Sequence, residues 1–330
     1  MMVSVIIPVY HVAPYIEACL ASVGRQTYPD VECVIVDDCG ADDSMLVAER
    51  FIDDYRGAVR FVVVRQSQNS GLSSSRNLGM SVAAGDFVFF LDGDDTIAED
   101  CLSQLVSVQR ETGADCVVGS YRQVYADGTM RDFVAHKPCQ DVLMAGGVEW
   151  PAVACNMLLR KRFLEQWNLR FETGILHEDL LWTFNLLIHR PVMAFSSAIT
   201  YFYLQRSASI MTSNDEEMMR RRLSSYQKIL QLMSDRCLRT VSARADGTEV
   251  GAAFFVERSA RLMASMMLQW GQRDAAYRLF CYAKEEVRVP WHYCFLPSRV
   301  RWKDKLKLLY RLLPTRLAFY LFSSFAFHER

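Results

Sequence analysis

The run Leu91-Asp92-Gly93-Asp94-Asp95 puts three carboxylates directly after the apolar stretch Phe87-Val88-Phe89-Phe90. Such a stretch predicts a strand buried on both faces of a sheet. Ionised carboxylates at its end cannot be buried alone, because an isolated charge in a low-dielectric interior costs many kcal/mol. They must meet water, cations, or a ligand that carries cations. Hard carboxylate oxygens grouped at a strand terminus suit Mg2+ or Mn2+, commonly shared with a phosphate. A metal-phosphate site is therefore the first expectation.

Further polar clusters stand at comparable places. Pro8-Val9-Tyr10 ends an apolar run over residues 3–10, and Asp37-Asp38 follows another over 31–36. Residues 13–26 carry helical spacing through Ile16, Leu20 and Val23, and the polar turn after Asp38 supplies N-caps for a helix through Tyr55. A third strand is expected over 59–64 and a helix over 72–84 closed by Gly85. A strand over 86–91, a helix to about Thr112 ahead of Gly113, and a strand over 116–118 follow. Strands alternating with crossover helices predict a doubly wound, mostly parallel α/β sheet, whose ligands gather at the carboxyl ends of the strands. The clusters at 8–10, 37–38 and 92–95 all fall there.

After residue 120 the pattern changes. Tyr125-Ala126-Asp127-Gly128-Thr129 predicts a hairpin turn. Residues 155–167 are expected to be helical, Glu178-Asp179 to open a helix through His189, and 194–205 to form a strand. From about Glu216 onward the chain is helical in pattern and rich in Met, Leu and Arg.

Five segments together resemble the family 2 glycosyltransferases with an A-type (GT-A) nucleotide-diphospho-sugar fold. They are V-S-V-I-I-P-V-Y at 3–10, V-I-V-D-D-C-G-A-D-D-S at 34–44, N-S-G-L-S-S-S-R-N-L-G at 69–79, F-L-D-G-D-D at 90–95 and H-E-D-L-L-W at 177–182. The resemblance covers roughly residues 3–210. It implies a catalytic domain over 1–215, with a nucleotide-sugar half to about 120 and an acceptor half after it, and a helical region over 216–330. It also implies that Pro8, Tyr10 and either Asp38 or Asp37 line a uracil pocket, the ring stacking and a carboxylate accepting the uracil N3–H.

By the same resemblance, Asp92 and Asp94 are the two ends of the D-x-D motif. Asp92 meets the ribose, and Asp94 holds the Mn2+ or Mg2+ that bridges the diphosphate. Side chains two apart on extended backbone point the same way, which would suit that division. Asp95 either reaches the metal through water or caps the next helix. Arg76, followed by Asn77, either neutralises phosphate charge or pairs with the acidic turn. Asp179 of the Glu178-Asp179 pair is the implied general base, and the reaction inverts the anomeric centre. Arg206, in Y-F-Y-L-Q-R-S-A-S-I, would meet the donor diphosphate as its loop closes. Two departures from relatives are Cys39, where Gly or Asn would surprise less, and His11, where many carry Asn.

The implied function is transfer of a sugar from a nucleotide-diphospho-sugar, UDP-linked by expectation, to a hydroxyl of a glycan or lipid-linked glycan in cell-surface polysaccharide synthesis. Transfer to a polyprenyl phosphate and an inactive nucleotide-sugar-binding partner are the alternatives. A processive synthase is disfavoured, since the chain lacks both a membrane span and a Q-x-x-R-W sequence.

Composition agrees with a folded enzyme. The 330 residues are 51% hydrophobic and 23% charged, with a net charge of −1, which argues against a nucleic-acid-binding surface. Ten scattered cysteines without C-x-x-C suggest reduced thiols in the cytoplasm. The amino terminus is expected to be a strand and not a signal peptide. Residues 299–316 carry seven Arg or Lys against one acid, Asp304, and Trp302, Leu306, Leu309 and Leu313 share a helical face. With the apolar stretch at 317–322, this predicts an amphipathic element on the inner face of the cytoplasmic membrane.

Overall fold

The computed structural model describes residues 1–137, 153–205, 215–237, 248–285 and 312–325. They group into two compact units. One takes in residues 1–137, 153–174 and 191–205; the other takes in residues 175–190 and the helices after 214. A single cut at residue 215 thus differs from the structure over 175–190. That stretch carries its own ties to the later helices: Phe184 packs 5.4 Å from Phe255, and Arg236 donates to Asn185 Oδ1.

Among the described residues, the first unit is built on one nine-stranded sheet. In chain order its elements are β1 (Val3–Val9), α1 (Ile16–Gly24), β2 (Val31–Asp37), α2 (Ser44–Asp54), β3 (Arg60–Arg65), α3 (Leu72–Val82) and β4 (Phe87–Phe90). Then come β5 (Thr96–Ile97), α4 (Cys101–Thr112), β6 (Cys116–Tyr125), β7 (Met130–Phe133), β8 (Met157–Arg160), α5 (Lys161–Gln166) and β9 (Met193–Gln205). The order across the sheet is β3-β2-β1-β4-β8-β6-β9-β5, with β7 paired to β6. The first four strands are parallel, so their carboxyl ends share one edge. The apolar runs of β1, β2 and β4 are buried on both faces, as expected, while β3 at the sheet edge is only partly covered: Ile6, Ile7, Val34, Ile35, Val88 and Phe89 have no exposed surface.

At the opposite, amino edge lies a buried carboxylate. Glu32, 1% exposed, accepts from Ser4 Oγ and from the amides of Ala84 and Gly85, and pairs with Arg60. Four donors satisfy a charge that would otherwise be very costly to bury. Gly85 belongs to this latch and not to a helix cap. α3 already ends at Val82, and a Cβ at Gly85 would stand 2.6 Å from Ser4 Oγ.

The expected helix over 155–167 is corrected. Met157–Arg160 is a strand, antiparallel to both β4 and β6, and only Lys161–Gln166 is helical. Met157, Leu158 and Leu159 are almost wholly buried because they fill the gap between those strands, and pairing there overrides local helix propensity. The hairpin at 125–129 forms as expected and joins β6 to β7.

The second unit is helical: α6 (Glu178–Ile188), α7 (Glu216–Arg236), α8 (Thr248–Gln269), α9 (Arg273–Glu285) and α10 (Thr315–Phe325). Among the described residues no helix is long and apolar enough to cross a membrane. On α10, Phe319 packs against Tyr277 and Phe280 of α9, while Leu317, Tyr320 and Leu321 stay exposed. Arg206 and residues 299–311, to which a diphosphate contact and a basic amphipathic face were assigned, lie outside the described residues.

Candidate active site

The parallel strands deliver the predicted residues to one edge. Pro8 is buried beside Val36, and Tyr10, just past β1, is 47% exposed with its ring 4.3 Å from that of His11. Asp37 ends β2, accepts the Cys39 amide and lies 3.8 Å from Arg65. Asp38 is buried and accepts from Gln66 Nε2 at 2.6 Å, the Ser70 amide at 2.7 Å and the Gly71 amide at 3.0 Å. It therefore shapes the loop that leads into α3.

His11 and Cys39 both have positive φ, +53° and +55°. That is the left-handed region, which glycine and asparagine enter most easily. The structure thus explains why Asn at 11 and Gly or Asn at 39 would surprise less, and shows both positions bending the backbone at the mouth of the site. The Cys39 thiol donates to the Gln66 carbonyl at 3.0 Å.

The acidic segment is a turn, closed by the Asp95 amide donating to the Asp92 carbonyl at 3.0 Å. The extended-strand alternation expected for Asp92 and Asp94 does not apply. The three carboxylates instead have distinct surroundings. Asp92 accepts from Arg76 Nη2 at 2.9 Å; Arg76 itself is 1% exposed, touches Cys155 Sγ at 3.7 Å and lies over the Phe171 ring at 5.2 Å. Arg76 thus pairs with the acidic turn. Asn77, its neighbour, exchanges two hydrogen bonds with the backbone of Phe171.

Asp94 is half-buried. Asp95 is 1% exposed; Tyr201 Oη donates to one oxygen at 2.6 Å and the Leu204 amide to the other at 2.8 Å. Burial, Asp92 and Asp94 push its carboxyl well up, against the pull of those two donors. It anchors β9 and caps no helix. Tyr201 was not foreseen; its only sequence signal is the i, i+2 pairing with Tyr203 on a strand.

The turn fits a hard divalent cation in part. Asp92 and Asp94 are oxygen donors at the sheet edge, with Arg76 steadying the first. Among the described residues no group of three His, Cys, Asp or Glu forms a metal cage. A cation here would take its remaining ligands from phosphate and water, as Mg2+-type sites commonly do.

In the second unit, Glu178 and Asp179 form the first turn of α6, where the helix dipole favours carboxylates. His177 precedes them with φ +60°. Its Nε2 is 3.2 Å from Tyr226 Oη, and the rings lie 4.9 Å apart. Burial, then Arg222, lowers the His177 pKa from 6.5 to about 4. The unfolded imidazole thus gains a proton that the folded one refuses between those values, so stability should rise with pH from about 4 to 6.5. The contribution is up to about 3 kcal/mol. Urea unfolding at pH 4.5 and 7 should show this slope, and His177→Asn, which tolerates positive φ, should flatten it.

A family model described as glycosyl transferase family 2 matches residues 4–166, which span β1 to α5 and contain the whole acidic edge. Residues 4–166 are a family 2 glycosyltransferase domain. Among curated relatives, glycosyltransferase GlyG of Streptococcus pneumoniae serotype 4 (strain ATCC BAA-334 / TIGR4) is 25% identical over 259 residues, covering 74% of this chain and 82% of GlyG. The uncharacterized glycosyltransferase EpsJ of Bacillus subtilis (strain 168) is 38% identical over 123 residues, 37% of this chain and only 35% of EpsJ. Among solved structures, S. aureus TarS 1-349 in complex with UDP-GlcNAc aligns over 100% of this chain and 93% of its own, with a TM-score of 0.77 and 19% identity. That likeness establishes the GT-A fold for this family 2 glycosyltransferase.

Proposed function

We propose that this enzyme is an inverting, metal-dependent glycosyltransferase that moves a sugar from a UDP-sugar to a hydroxyl of a glycan or lipid-linked glycan in cell-surface polysaccharide synthesis. The observation that carries the reading is the acidic turn at the carboxyl edge of the parallel sheet, with Asp92 fixed by a buried Arg76. A UDP-GlcNAc complex of TarS supports a uridine-linked donor.

Pro8, the exposed ring of Tyr10, and Asp37 with Asp38 form the proposed base pocket. Asp92 meets the ribose, held in place by Arg76. Asp94 is the proposed metal ligand, and Asp95 serves the turn by tying it to β9. A divalent cation there would supply positive charge to the leaving diphosphate. Asp179 takes the proton of the acceptor hydroxyl as its oxygen bonds to the anomeric carbon and the bond to the diphosphate breaks. Attack opposite the leaving group inverts that centre, so an α-linked donor gives a β-linked product.

We further place the enzyme on the cytoplasmic face of the membrane, docked by the basic segment 299–316. Leu317, Tyr320 and Leu321, exposed along α10, support this reading.

A panel of UDP-, GDP- and dTDP-sugars, with and without Mn2+, tests the donor assignment by thermal stabilisation. Ligand at 100 times its Kd adds about 2.7 kcal/mol, a readily measured rise in Tm. UDP-sugars with Mn2+ should give the largest rise and release UDP; stabilisation by GDP-sugars alone would refute the uracil pocket. Absence of nucleoside diphosphate release under every condition would sink the enzyme reading.

A further inference from the structure

Asn156 is 4% exposed, and neither its Nδ2 nor its Oδ1 meets a hydrogen-bond partner among the described residues. A buried primary amide can make up to four hydrogen bonds, and leaving it unsatisfied is unfavourable. The same residue has φ +58°, a left-handed conformation that asparagine enters readily, so the backbone accounts for the residue type but not for its unpaired amide. A buried amide kept without partners points to a function there.

The surroundings say which. The β4–β8 register pairs Phe89 with Leu158; continued, it sets Asn156 opposite Leu91 and Cys155 opposite Asp92. Cys155 confirms this, since the Arg76 Nη2 that holds Asp92 also touches its sulfur. On the other side, the Gly119 amide donates to the Asn156 carbonyl at 3.0 Å. Gly119 also makes room for the amide: a Cβ there would stand 2.4 Å from Oδ1 and 3.0 Å from Nδ2. The sheet thus keeps a cradle for a polar group that bonds to nothing in the protein described. That cradle lies one residue from the contact that fixes the acidic turn.

We infer that the Asn156 amide reads a polar substituent, a hydroxyl or an acetamido group, on the sugar carried by the donor diphosphate. The inference rests on the proposed donor reading and adds a specificity-determining residue to it. An amide offers both a donor and an acceptor, which matches either substituent. A site that keeps a buried polar group for a substrate hydroxyl discriminates strongly against analogues lacking it.

The test compares bare UDP with UDP-glucose, UDP-galactose and UDP-GlcNAc, each with Mn2+, on wild type, Asn156→Gly and Gly119→Ala. Glycine at 156 keeps the positive φ and deletes the amide; alanine at 119 displaces the amide without deleting it. Both variants should bind UDP like wild type, showing an intact fold, and should bind the preferred UDP-sugar about tenfold more weakly. If the sugar adds as much stabilisation over UDP in both variants as in wild type, the inference fails alone. A lower Tm without ligand, with the sugar increment unchanged, would make the amide structural and would also overturn it. A wild type stabilised by none of these ligands would remove the donor reading, and this inference with it.

Discussion

Asp179→Asn should lower kcat by about a thousandfold while leaving donor binding almost unchanged. The substitution preserves shape and keeps a polar group in the first turn of α6, so the helix should persist. What disappears is a group able to accept the acceptor's proton. A hydroxyl is a poor nucleophile until that proton leaves, and a positioned base contributes roughly 10²–10⁴-fold. Initial rates of UDP release with saturating acceptor, beside thermal stabilisation by the donor, separate the two effects. A phosphate acceptor is already ionised at neutral pH and needs no base. Nearly unaltered turnover in Asp179→Asn would therefore replace the hydroxyl acceptor by a polyprenyl phosphate.

The second large effect belongs to the acidic turn. Asp94→Asn should cost at least about a hundredfold in kcat, because a neutral amide holds a divalent cation poorly and the departing diphosphate then lacks charge compensation. The added stabilisation that Mn2+ gives to UDP binding should vanish in the same variant. Asp92→Asn should behave differently. It removes the charge partner of a guanidinium that is 1% exposed, and breaking a buried pair commonly costs about 3–5 kcal/mol. The partly exposed Asp92 places the expected loss at or below the low end of that range. Denaturant titration of the ligand-free variants should therefore show Asp92→Asn clearly less stable than Asp94→Asn. Equal stabilities with equal Mn2+ responses would contradict the separate duties given to the two residues.

The parallel half was legible in the sequence because its signals are local. Buried apolar runs such as 31–36 and 87–90 specify strands, and the polar residues after them could only stand at strand ends. The antiparallel strand at 157–160 was not legible. A three-residue apolar run, Met157–Leu159, beside helix formers does not distinguish a strand from a helix until β4 and β6 provide edges for it. The duties of the three aspartates were hidden for a related reason. Arg76 reaches Asp92 across 16 residues, and Tyr201 reaches Asp95 across 106. No periodicity encodes such pairings. The positive φ at His11 and Cys39 shows the converse case, in which an unusual residue type carried a structural signal that only the backbone could explain.

The latch around Glu32 gives the sheet a division of labour. Its buried charge and four donors sit at the amino ends of the parallel strands, while Tyr10, Asp37 and the acidic turn sit at the carboxyl ends. Because a parallel sheet points every strand the same way, robustness and chemistry occupy opposite rims. Substitutions that tighten the Glu32 rim can therefore raise the melting temperature without a toll on turnover, and the rim carrying Tyr10 and the aspartates can be varied for new donors on an unchanged chassis.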